Sequence, residues 1–346
     1  MRVLFRADGG DDLGLGNVYR CLSLAAALLD AGLTTADAIT FVIGYREHAL
    51  NPVRERGFAA LYLAVPPGST DEQTAQREIV ARLRPRLVVT DVPARPDRDA
   101  AFFHSLRHDD GDSRLLHLSD ENAGRCAADI VVQGDVYHGK GGRSHDDGPG
   151  ARPRVLSGPA YSQLNPVFAQ ARLSQANGRA GVFVCFGGAD PTGMTARMGE
   201  LAAALPPGLP VTLVAGAGVA VPDPLPAGWT LRRALAPAQI AAVMQTAALG
   251  IIAAGVMSYE AACMGLPCLL VIQNRWQEPV ARGFAAEGVH VSAGHIDHVT
   301  PAALAATCTR LLNDPADLQK RSAAGTMLVD GAGTARVAAA VSEELP

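Results

Sequence analysis

Three glycine-bearing turns, each directly behind a short apolar run, are the parts of this 346-residue chain best suited to chemistry. The first is Gly14-Leu15-Gly16-Asn17, which follows the run opened by Val3-Leu4-Phe5. The second is Gly187-Gly188-Ala189-Asp190, behind Val182 to Phe186. The third runs Ala253-Ala254-Gly255-Val256-Met257-Ser258-Tyr259-Glu260. Glycine lets the main chain approach a ligand, and a helix opening after the turn aims unpaired N–H groups and the positive end of its dipole at an anion. In the third turn a strand ending at Ala253 and a helix opening near Met257 let the amides of Gly255 to Ser258 face a diphosphate. Glu260, on the first helical turn, would lie near a sugar attached to it, where a carboxylate accepts hydroxyl hydrogen bonds. A structural reading stays open beside this one: Ser258 caps the helix and Glu260 is a first-turn acid favouring the dipole.

Charged and polar groups accompany these turns. Asp11 and Asp12 lie in the first loop, Arg6 and Arg20 flank it, and Asp91 and Asp120 end later apolar runs. The arginines can pair with a diphosphate or with local carboxylates such as Asp8. Trp276 suits stacking on a base or sugar, or anchoring its loop; Gln277 suits a phosphate oxygen.

Other chemistries fit poorly. Gly14-x-Gly16 has Tyr19 where a dinucleotide fingerprint needs its third glycine, and Ile43-Gly44-Tyr45 lacks the acid that would take a ribose hydroxyl. His104 and His108 are spaced i, i+4 without a glutamate between them, and His290, His295 and His298 have only Asp297 nearby, so no metal is expected. No Gly-x-Ser-x-Gly element points to a serine hydrolase. A net charge of -4 gives no electrostatic case for nucleic acid or an anionic membrane. The six cysteines are scattered without a C-x-x-C pair. No basic and apolar leader or spanning segment is evident, and a cytoplasmic protein is the expectation.

These turns need elements to position them. Short β-rich runs at Val3–Phe5, Ile39–Ile43, Leu61–Leu63, Leu87–Thr90, Leu115–Leu118 and Ile130–Val132 alternate with helical patterns such as Asp71–Leu83 and Asp97–His108. A second series runs through Val182–Phe186, Val211–Ala215, Leu249–Ala253 and Cys268–Ile272, before one or two terminal helices broken near Gly331-Ala332-Gly333. Alternation of this kind predicts parallel sheets covered by helices on both faces, with ligands at the carboxyl ends of the strands. The expected organisation is an N-terminal domain over 1–160, a crossing over 161–180 and a C-terminal domain over 181–346. The polar, glycine-rich stretch 134–153 reads as a loop or an insertion at a domain edge.

Taken in order, the motifs resemble those of the nucleotide-sugar hydrolase family of pseudaminic acid biosynthesis, which is spore-coat-polysaccharide glycosyltransferase-like. Val3 to Asp8 matches that family's opening strand and Gly14-x-Gly16-x-x-x-Arg20 its first loop. Thr90-Asp91 and Ser119-Asp120-Glu121 match acidic strand ends, and Leu156 to Tyr161 a domain-crossing segment. Phe186 to Asp190 and Glu260 to Pro267 resemble its UDP-binding domain. The resemblance implies an α/β protein of the GT-B fold, two facing Rossmann-like domains with a cleft, releasing UDP from a UDP-linked diacetamido-trideoxy sugar without a cofactor or metal. It implies a small-molecule nucleotide sugar as partner, bound by Gly14, Gly16, Arg20, Asp120, Gly187, Gly188, Asp190, Gly255, Ser258, Glu260 and Gln277.

The departures matter as much. The family loop normally ends Gly-x-Gly-His, the histidine activating water; this chain has Asn17, whose amide cannot take a proton at neutral pH. Val92 to Arg95 lacks the family's usual tyrosine, Asn165-Pro166 its arginine, and Asn274-Arg275-Trp276-Gln277 splits a usual Asn-Gln. The catalytic candidates are therefore Asn17, Asp11 and Asp91, with Asp12 and Asp120 as further carboxylates. Hydrolysis with a substituted base, transfer to an acceptor hydroxyl, and a lapsed nucleotide-sugar-binding protein all stay open.

Overall fold

The computed structural model describes residues 1–10, 13–93, 100–107, 111, 113–118, 127–137, 145–151, 153–173 and 178–345. It divides into two compact units: residues 1–164 with 332–345, and residues 165–331.

The first unit is built on a sheet of β1 (Val3–Gly9), β2 (Ile39–Tyr45), β3 (Ala59–Tyr62), β4 (Leu87–Asp91), β5 (Arg114–Leu118), β6 (Ile130–Gln133), β7 (His145–Asp146) and β8 (Arg154–Ser157). The order is β3-β2-β1-β4-β5-β6-β8-β7, parallel except for β7 against β8. Strands covered on both faces read as continuous apolar runs. All of β1 is buried, and Phe5 stacks on Phe41 with ring centroids 4.7 Å apart. Helices α1 (Gly16–Asp30), α2 (Asn51–Arg54), α3 (Thr70–Leu83) and α4 (Ala100–His104) belong to this unit. Helix α1 packs Val18, Cys21, Leu22, Ala25 and Leu28 into the core at helical spacing. Ser69 caps α3, its hydroxyl accepting from the Glu72 amide at 3.1 Å.

The second sheet comprises β9 (Val182–Cys185), β10 (Val211–Ala215), β11 (Trp229–Arg233), β12 (Leu249–Ala253), β13 (Cys268–Ile272) and β14 (Val291–His295). Its order is β11-β10-β9-β12-β13-β14, parallel throughout. Around it lie α5 (Pro166–Leu173), α6 (Met194–Ala202), α7 (Pro237–Thr246), α8 (Val256–Cys263), α9 (Gln277–Ala286), α10 (Pro301–Leu312) and α11 (Pro315–Leu328).

The last helix, α12 (Gly333–Glu344), belongs to the first unit, although the sequence places it at the end of a run 181–346. Val337, Ala338, Ala340 and Val341 join the core that holds Phe5 and Leu24. At its start Gly333 sits so close to Ser162 that a Cβ there would fall 2.3 Å from the Ser162 carbonyl oxygen. At its end Arg154 bridges Glu343, 2.7 Å, and Asp146, 2.8 Å. The expected segment 134–153 is in part outside the described residues; where described, it supplies β7 at a sheet edge.

Candidate functional site

In the first unit, β1 delivers the chain to the first glycine turn. Gly10 donates from its amide to the Gly14 carbonyl at 3.1 Å, closing a loop in which Gly14 adopts φ +71°, and α1 then begins at Gly16. Asn17 is half-buried on the first turn of α1. One turn later Arg20 donates to both oxygens of Asp91, Nε to Oδ2 at 2.8 Å and Nη2 to Oδ1 at 2.7 Å. The same Nη2 donates to Asn17 Oδ1 at 3.2 Å. Asp91, 1% exposed at the end of β4, is thereby neutralised by a two-pronged cation and does not stand ready as a proton acceptor. Asp11, Asp12 and Asp120 lie outside the described residues.

Arg6 does not reach out of the sheet toward a ligand. It is fully buried, donating to Asp8 at 2.7 Å, to Glu72 at 2.5 Å and to Gln76 at 3.2 Å. The two carboxylates hold its guanidinium charged, and its pKa moves up even though burial alone would lower it. Gly44 on β2 faces this pair, and a Cβ there would fall 2.7 Å from both Arg6 Nη2 and Asp8 Oδ1. Of the two pairings the sequence left open for Arg6, the one with Asp8 is found; Glu72 and Gln76 were not anticipated, because they lie on α3, far along the chain.

In the second unit the loops after β9, β12 and β13 are stitched together by side-chain amides. Gln273 donates from Nε2 to Asp190 Oδ1 at 3.0 Å and to Thr192 Oγ1 at 2.8 Å. Its own backbone N–H donates to Gln277 Oε1 at 2.8 Å. The Gln277 Nε2 group lies beside Gly255, 3.9 Å from where a Cβ on that glycine would sit. Gln273 was not singled out from sequence; an amide side chain immediately behind a fully buried strand was the available signal.

Each expected residue of this unit takes a definite place. Asp190, at φ +40°, lies three residues before the N-cap Gly193 of α6, and its carboxylate accepts from the helix's first two amides, Met194 at 3.2 Å and Thr195 at 2.6 Å. Oxygens so engaged offer little to a ligand, which separates Asp190 from Gly187 and Gly188. A Cβ on either of those glycines would meet nothing within 4 Å. Gly216, which the sequence reading passed over, packs against them, and a Cβ there would fall 1.8 Å from the Gly188 carbonyl oxygen.

At α8 the expectation of four ligand-facing amides is narrowed. Gly255 donates to Ala253 O at 2.8 Å and Ser258 to Gly255 O at 2.9 Å, so the tight turn itself uses two of them. The amides of Val256 and Met257, the first two of the helix, remain as donors without an intrahelical acceptor. Ser258 is neither cap nor surface donor. It is 0% exposed, its hydroxyl has no partner among the described residues, and Gly255 holds the N-cap position. Glu260 is half-buried, with no hydrogen bond or ion pair to its carboxylate among the described residues, and burial pushes its pKa up to about 7.

Two buried groups brace this helix. His290 accepts from the Cys268 amide at Nδ1, 3.2 Å, and Nε2 lies 2.9 Å from the Ser258 carbonyl. That pairing requires the neutral ring with its proton on Nε2, and burial lowers its pKa to about 4. His290 therefore ties α8 to β13 and is unsuited to a metal. Arg179 donates to the carbonyls of Met264 and Gly265 at the other end of α8, where the dipole favours a cation. Trp276 is 49% exposed with Arg275 over its ring, 4.1 Å from the centroid.

No protein-family model matches the chain. It is similar to the spore coat polysaccharide biosynthesis protein SpsG of Bacillus subtilis, 25% identical over 356 residues that cover 99% of this chain and 98% of that protein. An uncharacterized protein of Methanocaldococcus jannaschii is 24% identical over 292 residues, 80% of this chain and 57% of that protein. Among solved structures, MurG of Acinetobacter baumannii superposes with a TM-score of 0.66 at 13% identity, covering 99% of this chain and 100% of MurG. The UDP-GlcNAc 2-epimerase of Neisseria meningitidis, bound to UDP-GlcNAc, gives 0.65 at 11%, with 99% and 100% covered. The spinosyn rhamnosyltransferase SpnG complexed with thymidine diphosphate gives 0.61 at 16%, with 99% of each covered. With two parallel-sheet α/β units matched along its length, this chain has the GT-B fold and is glycosyltransferase-like in architecture.

Proposed function

We propose that the chain is an enzyme that binds a nucleoside-diphosphate sugar through its second unit and releases UDP by hydrolysis, its substrate a UDP-linked diacetamido-trideoxy sugar of the pseudaminic acid type. One observation carries the reading: α8 opens with the free amides of Val256 and Met257 and carries Glu260, whose carboxylate has no partner among the described residues, while Gln277 Nε2 lies 3.9 Å from where a Cβ on Gly255 would sit and Gln273 ties this loop to Asp190 behind the uncrowded Gly187-Gly188 turn. This is a donor set for a diphosphate with an acceptor for sugar hydroxyls. The same amides would stabilise charge that grows on UDP as it departs. The names of the relatives agree: a polysaccharide biosynthesis protein by sequence, and proteins holding UDP-GlcNAc or thymidine diphosphate by fold. No helix among the described residues is long and apolar enough to cross a membrane, and the five described cysteines are buried and unpaired, consistent with a cytoplasmic place.

Water activation rests on the carboxylates Asp11, Asp12 and Asp120, because Asn17 cannot accept a proton and Asp91 is held by Arg20. Losing a general base costs roughly 10²–10⁴ in rate, so hydrolysis is slow unless one of those three substitutes. A second reading is glycosyl transfer, in which an acceptor hydroxyl replaces water and needs one of the same carboxylates as its base. Purified protein incubated with UDP-linked diacetamido sugars separates them. Hydrolysis predicts UDP release without an acceptor, transfer predicts release only when an acceptor glycan is added, and binding without turnover in either case leaves a non-catalytic nucleotide-sugar binder.

A further inference from the structure

We propose that the first unit carries a further binding site, for a small phosphorylated sugar, in a cavity at the amino-terminal edge of its sheet. The site lies within one unit and does not depend on the nucleotide-sugar reading.

A cavity of about 400 Å³ opens where β1 and β2 begin and α3 ends, a size that suits a small organic ligand. Val3 and Pro85, both buried, give it an apolar lining, and Arg2, Arg82, Asp37 and Thr40 supply polar groups. The first glycine turn leaves the opposite end of β1, after Gly9, about 20 Å away at the usual rise of a strand.

The charged groups of this cavity do not satisfy one another. Among the described residues neither Arg2 nor Arg82 forms an ion pair with Asp37. Arg2 donates from Nη1 to the Leu83 carbonyl at 3.1 Å, covering the carboxyl end of α3, whose dipole would otherwise repel an anion. Arg82 is exposed and bonds to no described residue, and the Thr40 hydroxyl is likewise without a partner among them. Asp37 is held ionised, below the usual carboxylate range, chiefly by a hydrogen bond from the Thr35 side chain.

The surroundings attract an anion although the chain as a whole carries a net charge of -4. The Arg86 amide donates to the Arg2 carbonyl at 3.0 Å, and the Arg114 amide to the Arg86 carbonyl at 2.9 Å. Three arginines thus stand side by side where the neighbouring strands β1, β4 and β5 start, with Arg82 and Arg84 at the end of α3. Like charges gathered on one edge raise the local potential and draw in a counter-ion. Guanidinium groups match a phosphate in shape and charge. Phosphate alone would leave Asp37 and Thr40 unused, whereas sugar hydroxyls donate to the carboxylate and pair with the threonine. The apolar lining then takes the C–H face of the ring.

The test is calorimetric titration of the full chain with glucose 6-phosphate, inorganic phosphate and glucose, with and without saturating UDP. One-to-one binding of glucose 6-phosphate, about tenfold tighter than inorganic phosphate and unchanged by UDP, is expected. Arg82→Ala, at an exposed helical position that alanine suits, should melt like the parent and weaken both phosphates about tenfold. Thr40→Val should weaken glucose 6-phosphate alone, toward the affinity of inorganic phosphate. Hydrogen exchange should slow at residues 37–40 and 82–86 when glucose 6-phosphate is added. No saturable binding by the parent, binding indifferent to Arg82→Ala, or equal affinity for inorganic phosphate overturns the proposal. Competition by UDP also overturns it, because the ligand would then occupy the nucleotide site, and failure of UDP itself to bind leaves this proposal standing.

Discussion

Arg20 grips Asp91 through two parallel hydrogen bonds of 2.7 and 2.8 Å, and this pair joins the first turn of α1 to the carboxyl end of β4. A carboxylate that sequence spacing offers as a base is thus part of the scaffold under the first glycine turn. Arg20 is 14% exposed and Asp91 2% by side chain, so the pair is shielded from water. Breaking such a pair by removing one partner costs about 3 kcal/mol, mostly the penalty of an uncompensated buried charge. Arg20→Met should lower stability by that order in urea unfolding, and adding Asp91→Asn should restore part of the loss. A single variant as stable as the parent would show that Asp91 readily loses its charge.

Asp190 makes a separate prediction about α6. Its carboxylate accepts from the first two helix amides, Met194 and Thr195, and from Gln273 of the neighbouring loop. Removing a side-chain acceptor at a helix start costs about 0.5–2 kcal/mol. Asp190→Ala should unfold at lower urea by that amount, and Asp190→Asn, which keeps one acceptor oxygen, by clearly less. A much larger effect on UDP affinity than on stability in the asparagine variant would assign the carboxylate to the ligand instead.

The two pH-sensitive groups at α8 act in opposite directions. Glu260 is pushed up to about 7 by burial, so the folded state holds a proton that the unfolded chain releases nearer pH 4.5. Stability from this group falls as pH rises through that window. His290 is pushed down to about 4, so the unfolded chain takes up its proton first, and stability falls as pH drops below about 6.5. The variants separate them: Glu260→Gln should flatten the decline between pH 5 and 7.5, whereas His290→Gln should remove the acid-side loss. UDP binding should strengthen as pH rises through about 7 in the parent and not in Glu260→Gln, since only the ionised carboxylate is an acceptor at both oxygens. Parallel pH profiles for parent and Glu260→Gln would remove Glu260 from the ligand site.

Much of the architecture was legible because buried parallel strands are apolar runs. Leu87–Thr90 and Ile130–Val132 mark β4 and β6 to within one residue at their ends, and the break at Gly331-Ala332-Gly333 separates α11 from α12. Less legible were elements whose character comes from partners distant in sequence. Strand β1 runs on to Gly9 because Arg6 and Asp8 are buried by pairing with each other and with Glu72. Strand β11 was missed because, as an edge strand, Trp229 to Arg233 is half-buried or exposed rather than apolar throughout. The docking of α12 on the first core depends on contacts with residues some 300 positions earlier, and no local pattern encodes it. At the site, the glycine turns were visible by residue type. The stitching by Gln273 was not, since it depends on where two loop amides meet in space.

The central claim is that the turn at Gly255 cradles a nucleoside diphosphate. Gly255 adopts φ −114°, outside the left-handed region, and among the described residues a Cβ there would have only Gln277 Nε2 within 4 Å, at 3.9 Å. Gly255→Val should therefore fold and melt like the parent while its methyl groups fill the space the diphosphate needs. Titration of parent and Gly255→Val with UDP is the direct measurement. Saturable one-to-one binding by the parent and its loss in a normally folded variant is the result predicted; equal binding by both, or none by the parent, would contradict the account.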